Sequence, residues 1–199
     1  TGIDAMVHAI EAYTSITPNN NPISKMLSIE ALKLLGSSIK TAVFDGHNIN
    51  ARSNMLLGSM LAGKAFANSP VAAGHAWASP LGGLFNISHG LSNSLVLPSV
   101  MKFNSKNEET KKNYAHLAPY VFKNLDNSKN DEFLCNNFID GLERLCKELN
   151  LPYRLRDLEI PEEACKLMAS EAMKQTRLLV NNPRKIEESD AFNIYKSVW

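Results

Sequence analysis

No stretch of this chain alternates apolar and polar residues with the period of two that a half-buried strand needs. Apolar residues recur instead at helical spacing from one end to the other. That feature predicts an all-α, multi-helix domain spanning residues 1–199. Ile3, Met6, Val7, Ile10 and Tyr13 mark a first helix from Gly2 to about Ser15, which the turn residues Thr17-Pro18-Asn19-Asn20-Asn21-Pro22 break. A second helix runs from about Pro22 to Val43, with Pro22 in its first turn, where a missing N–H costs nothing, and Asp45-Gly46 ending it. The third, about Asn50 to Ala67, interleaves Gly58, Ser59, Ala62, Gly63 and Ala65 with larger apolar residues, and reads as the central buried helix. A fourth, about Pro70 to Leu84, carries His75 and should kink or end at Pro80. Ser88 is placed to N-cap a fifth, from about His89 to Phe103. Weaker helices follow near Tyr114–Phe122, Asp131–Leu149, Pro161–Lys174 and Glu187–Val198, with Arg154 to Ile160 as a linker.

The bulk properties remove several classes of function. A net charge of +1 gives no electrostatic case for nucleic acid or an anionic membrane surface. No apolar run approaches the ~18 residues of a membrane span, and no signal-peptide pattern is present, so a cytoplasmic location is expected. The first residue is Thr, so the chain is expected to be a fragment or a processed product, which leaves any N-terminal address open. Cys135, Cys146 and Cys165 are odd in number and lack C-x-x-C spacing; they read as buried free thiols of a reducing compartment. There is no glycine-rich phosphate-binding motif and no internal repeat.

The chemistry gathers in two places. Asp4 and His8 lie four apart on the first helix and so share a face. His75 and His89 lie fourteen positions apart in G-H-A-W-A-S-P-L-G-G-L-F-N-I-S-H-G, each beside a glycine and without a charged neighbour. One carboxylate and three imidazoles make an N3O donor set suited to Fe(II) or Zn(II). The competing reading is a surface D-x-x-x-H and two hydrogen-bonded core histidines.

The opening T-G-I-D-A-M-V-H-A-I-E-A-Y, the segment L-A-G-K-A-F-A-N, the histidine stretch continued as H-G-L-S-N, and N-N-P-R at Asn181–Arg184 together resemble the iron-containing (group III) alcohol dehydrogenase family. The resemblance covers essentially the whole chain, as that family's C-terminal helical domain. It implies that Asp4, His8, His75 and His89 hold iron or zinc, which lowers the pKa of a small alcohol so that hydride passes to NAD or NADP. It places His89 near the nicotinamide as well. Phe66 and Trp77, flanking His75, become candidates for the substrate cleft, with core aromatics as the equal alternative. Many members carry a second histidine four residues after the first; Ser79 stands there, so a proton relay through that side chain is in doubt. His47 and His116 match no ligand and read as surface residues.

The resemblance also implies a nucleotide-binding half N-terminal to this domain. The chain alone should then bind metal weakly and turn over nothing, and the apolar face left bare should drive homo-oligomers. Two alternatives stay open: a non-catalytic helical metal-binding or interaction module, and a reductase or transhydrogenase of the same family with another substrate.

Overall fold

The computed structural model describes all residues, Thr1–Trp199, and contains helices and no strand. Ten α-helices follow one another: α1 Gly2–Thr14, α2 Pro22–Phe44, α3 Ile49–Asn68, α4 Ala73–Phe85, α5 His89–Asn104, α6 Glu108–Val121, α7 Asp131–Glu148, α8 Ala164–Met173, α9 Thr176–Leu179 and α10 Glu188–Ser197.

The central helix is α1, which corrects the expectation for the third segment. Ile3, Met6, Val7, Ala9, Ile10 and Ala12 are all buried, so α1 is apolar almost all round and packs against α2, α3, α5 and α6. On α3 only Ala51, Gly58, Ala62 and Ala65 are buried, a single stripe of small residues laid against α1 and α2. A Cβ on Gly58 would stand 2.8 Å from Leu35, so the helices approach as closely as glycine permits. Of the larger residues of α3, Met55 and Leu61 pack half-buried against the first core, while Leu56, 75% exposed, and Met60, 47%, face outward.

Two cores result. One joins α1 and α2 to Tyr114, Leu117, Phe138 and Leu142 of α6 and α7. The other joins α4, α8 and α10 through Trp77, Leu81, Met168 and Tyr195. Helix α5 serves both, giving Leu97 and Met101 to the first and Val96 and Val100 to the second. A side-chain clamp ties the C-terminal segment to α5: the amides of Asn104 and Asn182 exchange hydrogen bonds of 2.9 and 2.8 Å, and the Arg184 guanidinium lies over the Phe103 ring.

Element ends show what competes with propensity. Asn21 caps α2 in a reciprocal capping box with Ser24. Helix α4 starts at Ala73 rather than Pro70, because the N–H groups of Ala72 and Gly74 are bound by a side chain of α1. It then runs through Pro80 to Phe85, so the proline does not end it. Ser88 holds the N-cap position of α5, but its hydroxyl makes no capping hydrogen bond. Helix α6 starts six residues before the apolar pattern does, held by the Asn107 side chain accepting from Thr110 N and by Glu108 and Glu109 at its positive end. Pro161 lies in a turn ahead of α8 rather than in its first turn. The expected linker contains a 3-10 turn, Leu155–Leu158, whose Leu155 is fully buried in the second core.

Candidate metal centre

Asp4, His8 and Glu11 occupy positions i, i+4 and i+7 of α1, the polar stripe on an otherwise apolar helix. This stripe meets the first turns of two other helices. His75 is the third residue of α4 and His89 the first of α5. One ligand atom from each of Asp4, His8, His75 and His89 lies within 4.8 Å of every other.

The shortest contacts test whether a divalent ion fits. His8 Nε2 lies 3.0 Å from His75 Nε2, and His89 Nε2 lies 3.6 Å from Asp4 Oδ1. A tetrahedral shell with bonds of about 2.1 Å has edges of about 3.4 Å. The two contacts bracket that edge, so the donor set and its spacing suit a zinc-sized or iron-sized ion.

Glu11, absent from the sequence reading as a functional residue, organises this centre. Its carboxylate is buried and accepts three hydrogen bonds: from Ala72 N at 3.0 Å, from Gly74 N at 2.5 Å and from His75 Nδ1 at 2.7 Å. Two of these donors are orphan N–H groups at the start of α4, whose own N-cap residue is an alanine. Glu11 therefore caps α4 from another helix. Burial alone would push its carboxyl pKa up; the hydrogen bond from His75, with the two backbone donors, outweighs burial and holds it below the usual glutamate range. A carboxylate only accepts, so His75 carries its proton on Nδ1 and turns the lone pair of Nε2 toward His8 and the centre. The approach is close: a Cβ on Gly74 would stand 2.8 Å from Glu11 Oε1, which explains the glycine before this histidine.

His8 is pushed down to about 4, first by burial and then by the neighbouring His75. It is neutral at physiological pH, as an imidazole ligand must be. Asn93, one turn after His89 on α5, donates from Nδ2 to Asp4 Oδ1 at 2.6 Å and lies 3.2 Å from His89 Nε2. It too was missed, although its i+4 spacing from His89 was a usable signal.

Phe66 stacks on His8 with ring centroids 4.5 Å apart and stays partly exposed, so it stands at the edge of the centre. Trp77 requires a correction. It has no accessible surface, packs in the second core and accepts the Tyr195 hydroxyl on its carbonyl, so its side chain lines no cleft. A tryptophan two residues after His75 points to the opposite side of α4. Ser79 lines a cavity of about 340 Å3 together with His75 and His89. A larger cavity of about 630 Å3, walled by Leu35, Ile39, Met55 and Leu56, contains none of the four candidate ligands. His47 and His116 are exposed and away from the cluster.

Fold and site together give an all-helical domain in which a carboxylate and three imidazoles lie close enough together that they could hold a metal ion. Over residues 1–199 the sequence matches the Fe-containing alcohol dehydrogenase family, C-terminal, and the chain belongs to that family. It is 38% identical over 204 residues to long-chain-alcohol dehydrogenase 1 of Geobacillus thermodenitrificans (strain NG80-2), covering 100% of this chain and 49% of that one. It is 34% identical over 199 residues to the 1,3-propanediol dehydrogenase of Citrobacter freundii, covering 100% of this chain and 50% of that one. The crystal structure of a 1,3-propanediol oxidoreductase superposes with a TM-score of 0.93 at 32% identity, over 100% of this chain and 50% of the other. The chain thus spans about half the length of the curated relatives it matches.

Proposed function

We propose that this chain supplies the metal-holding side of an NAD(P)-dependent dehydrogenase that interconverts a small alcohol and its aldehyde. The observation that carries the reading is the convergence of Asp4, His8, His75 and His89, brought from three helices to within 4.8 Å of one another. Those four residues would hold Fe(II) or Zn(II). Once bound, the ion supplies Lewis-acid polarisation of the substrate oxygen.

The chain's own residues do the rest of the positioning. Glu11 fixes the His75 tautomer and anchors the start of α4. Asn93 holds the Asp4 carboxylate in place. Phe66, stacked on His8 and partly exposed, would wall the substrate off from water. His89 has a side chain 56% exposed against 18% for Asp4, which supports its assignment to the cofactor-facing side. Ser79 has no useful pKa of its own and would pass a proton only through water. The 199 residues contain no βαβ unit, so the nucleotide part of NAD(P) is assigned to sequence outside them.

The test uses the full-length protein purified without oxygen. After chelation and dialysis, Fe(II) or Zn(II) should restore nicotinamide reduction with at least one primary alcohol in a panel tried with both cofactors. If no alcohol or aldehyde in the panel gives a metal-dependent NAD(P)H signal, the dehydrogenase reading is wrong.

A further inference from the structure

The cavity of about 340 Å3 beside the metal centre is lined by His75, His89, Ser79, Gln175 and Arg177, with small or apolar residues completing the wall. No carboxylate lines it. The two carboxylates that contact its histidines are both engaged: Glu11 with His75 and the start of α4, and Asp4 with Asn93. Arg177 is the one permanently charged side chain on this wall. Arg177 is exposed, and its guanidinium takes part in none of the ion pairs among these 199 residues.

Its placement is built into the fold. The buried Asn181 side chain donates to the carbonyls of both Arg177 and Val71, each at 3.1 Å, and both of those residues line this cavity. Asn181 is itself held by Ile16, whose N–H donates to its carbonyl at 3.0 Å. One amide thus pins the two walls together and fixes where the arginine leaves the backbone. Ala78 and Gly82 leave the α4 side of the cavity uncrowded.

We infer that Arg177 selects a substrate bearing a carboxylate at the end remote from the reacting carbon: a short ω-oxo acid and its ω-hydroxy acid. A guanidinium grips a carboxylate through two parallel N–H donors, and no carboxylate among these 199 residues takes the donors of Arg177. The inference rests on the metal centre proposed above, which would act on the aldehyde end. In the reaction the aldehyde carbon gains a hydride from NAD(P)H and its oxygen gains a proton from solvent. The products are the primary alcohol and NAD(P)+, and the carboxylate is unchanged.

The probes are 4-oxobutanoate and butanal, which share a four-carbon chain and differ in the terminal charge, measured on the metal-loaded full-length protein. The ratio of kcat/KM for 4-oxobutanoate over butanal should fall roughly ten- to hundredfold in Arg177→Gln, the range of one lost charge-assisted contact. Arg177→Lys should regain part of it. Binding of succinate to the metal-free protein, read by calorimetry, gives a second measure that needs no turnover, and Arg177→Gln should weaken it by a similar factor. An unmoved succinate Kd overturns the inference whether or not either aldehyde reacts. An unmoved ratio, or a loss appearing only in the KM of NAD(P)H, also overturns it, the latter assigning Arg177 to the cofactor phosphates. Butanal turnover with an unmoved ratio leaves the metal-centre reading standing. Failure of both aldehydes, with succinate binding that depends on Arg177, supports this inference and counts against that reading.

Discussion

Replacing Glu11 by glutamine removes one negative charge and almost no volume. The carboxylate accepts from three buried donors, and an amide has a single oxygen to offer. If that oxygen stays with His75 and Ala72, the new NH2 group faces the Gly74 N–H, which loses its acceptor; the surviving bonds lose their charge assistance. A buried donor left unpaired costs about 1–3 kcal/mol, and the weakened bonds add to it, giving roughly 2–4 kcal/mol in all. At about 2–4 °C per kcal/mol for a cooperative unit of this size, Tm should fall by roughly 4–16 °C. Thermal unfolding of metal-free protein isolates this loss from metal binding. Metal affinity, measured separately by chelator competition, should fall about 10- to 100-fold, as expected when the partner that orients a ligand histidine is lost. Acid gives an independent check. The folded carboxyl sits below its unfolded value, so its stabilisation is complete above about pH 4.3 and is lost as pH falls through the folded value. The gap between wild type and Glu11→Gln should therefore narrow in acid. An unshifted Tm together with unchanged metal affinity would refute the role given to this residue.

Gly74→Ala forces a methyl group against Glu11 at 2.8 Å in a buried site, and should cost about 1–3 kcal/mol in denaturant unfolding; a neutral result would mean the α1–α4 contact is looser than described. Burial pushes the thiol of Cys146 up to about 12 and that of Cys135 up to about 11. Both should ignore a thiol reagent at pH 8 in the native protein and react on unfolding, whereas rapid native labelling would place them at the surface. Because the unfolded thiols ionise near pH 8.5, their contribution to stability should decline as pH rises from there, visible as alkaline loss reduced in Cys146→Ala relative to its own neutral baseline. The apolar faces of α2 and α3, with Met26 61%, Phe44 62% and Leu56 75% exposed, should make the 199-residue chain self-associate. A monomer by light scattering across a wide concentration range would contradict that.

The sequence disclosed helices wherever apolar residues mark a buried face, and hid them where other forces hold them. The first turns of α6, Glu108 to Asn113, contain no large apolar residue and exist because Asn107 caps them. The central helix was misplaced for a physical reason. Small residues permit close approach on one face only, so α3 lies against its neighbours while Leu56 and Met60 face out. In α1 the polar Asp4, His8 and Glu11 disguise a helix buried on nearly every side. The four candidate ligands were legible because D-x-x-x-H fixes two on one face and the glycine-flanked histidines resemble a known pattern. Glu11 and Asn93 were not, since an acid or an amide on a helix is usually solvated. Only the i+7 position of Glu11 from Asp4 and the i+4 position of Asn93 from His89 pointed inward. Arg177 stands between the polar Lys174-Gln175-Thr176 and the apolar Leu178-Leu179-Val180 with nothing local to mark it, and its relation to His75 is created entirely by the fold.

The most direct measurement is metal content combined with X-ray absorption on full-length protein purified without oxygen, with Asp4→Ala and His75→Ala alongside. The account predicts one divalent ion per chain in a shell of nitrogen and oxygen donors at about 2.0–2.2 Å, lost in both variants. A protein without stoichiometric metal, or one that keeps its ion when Asp4 and His75 are removed, would contradict it.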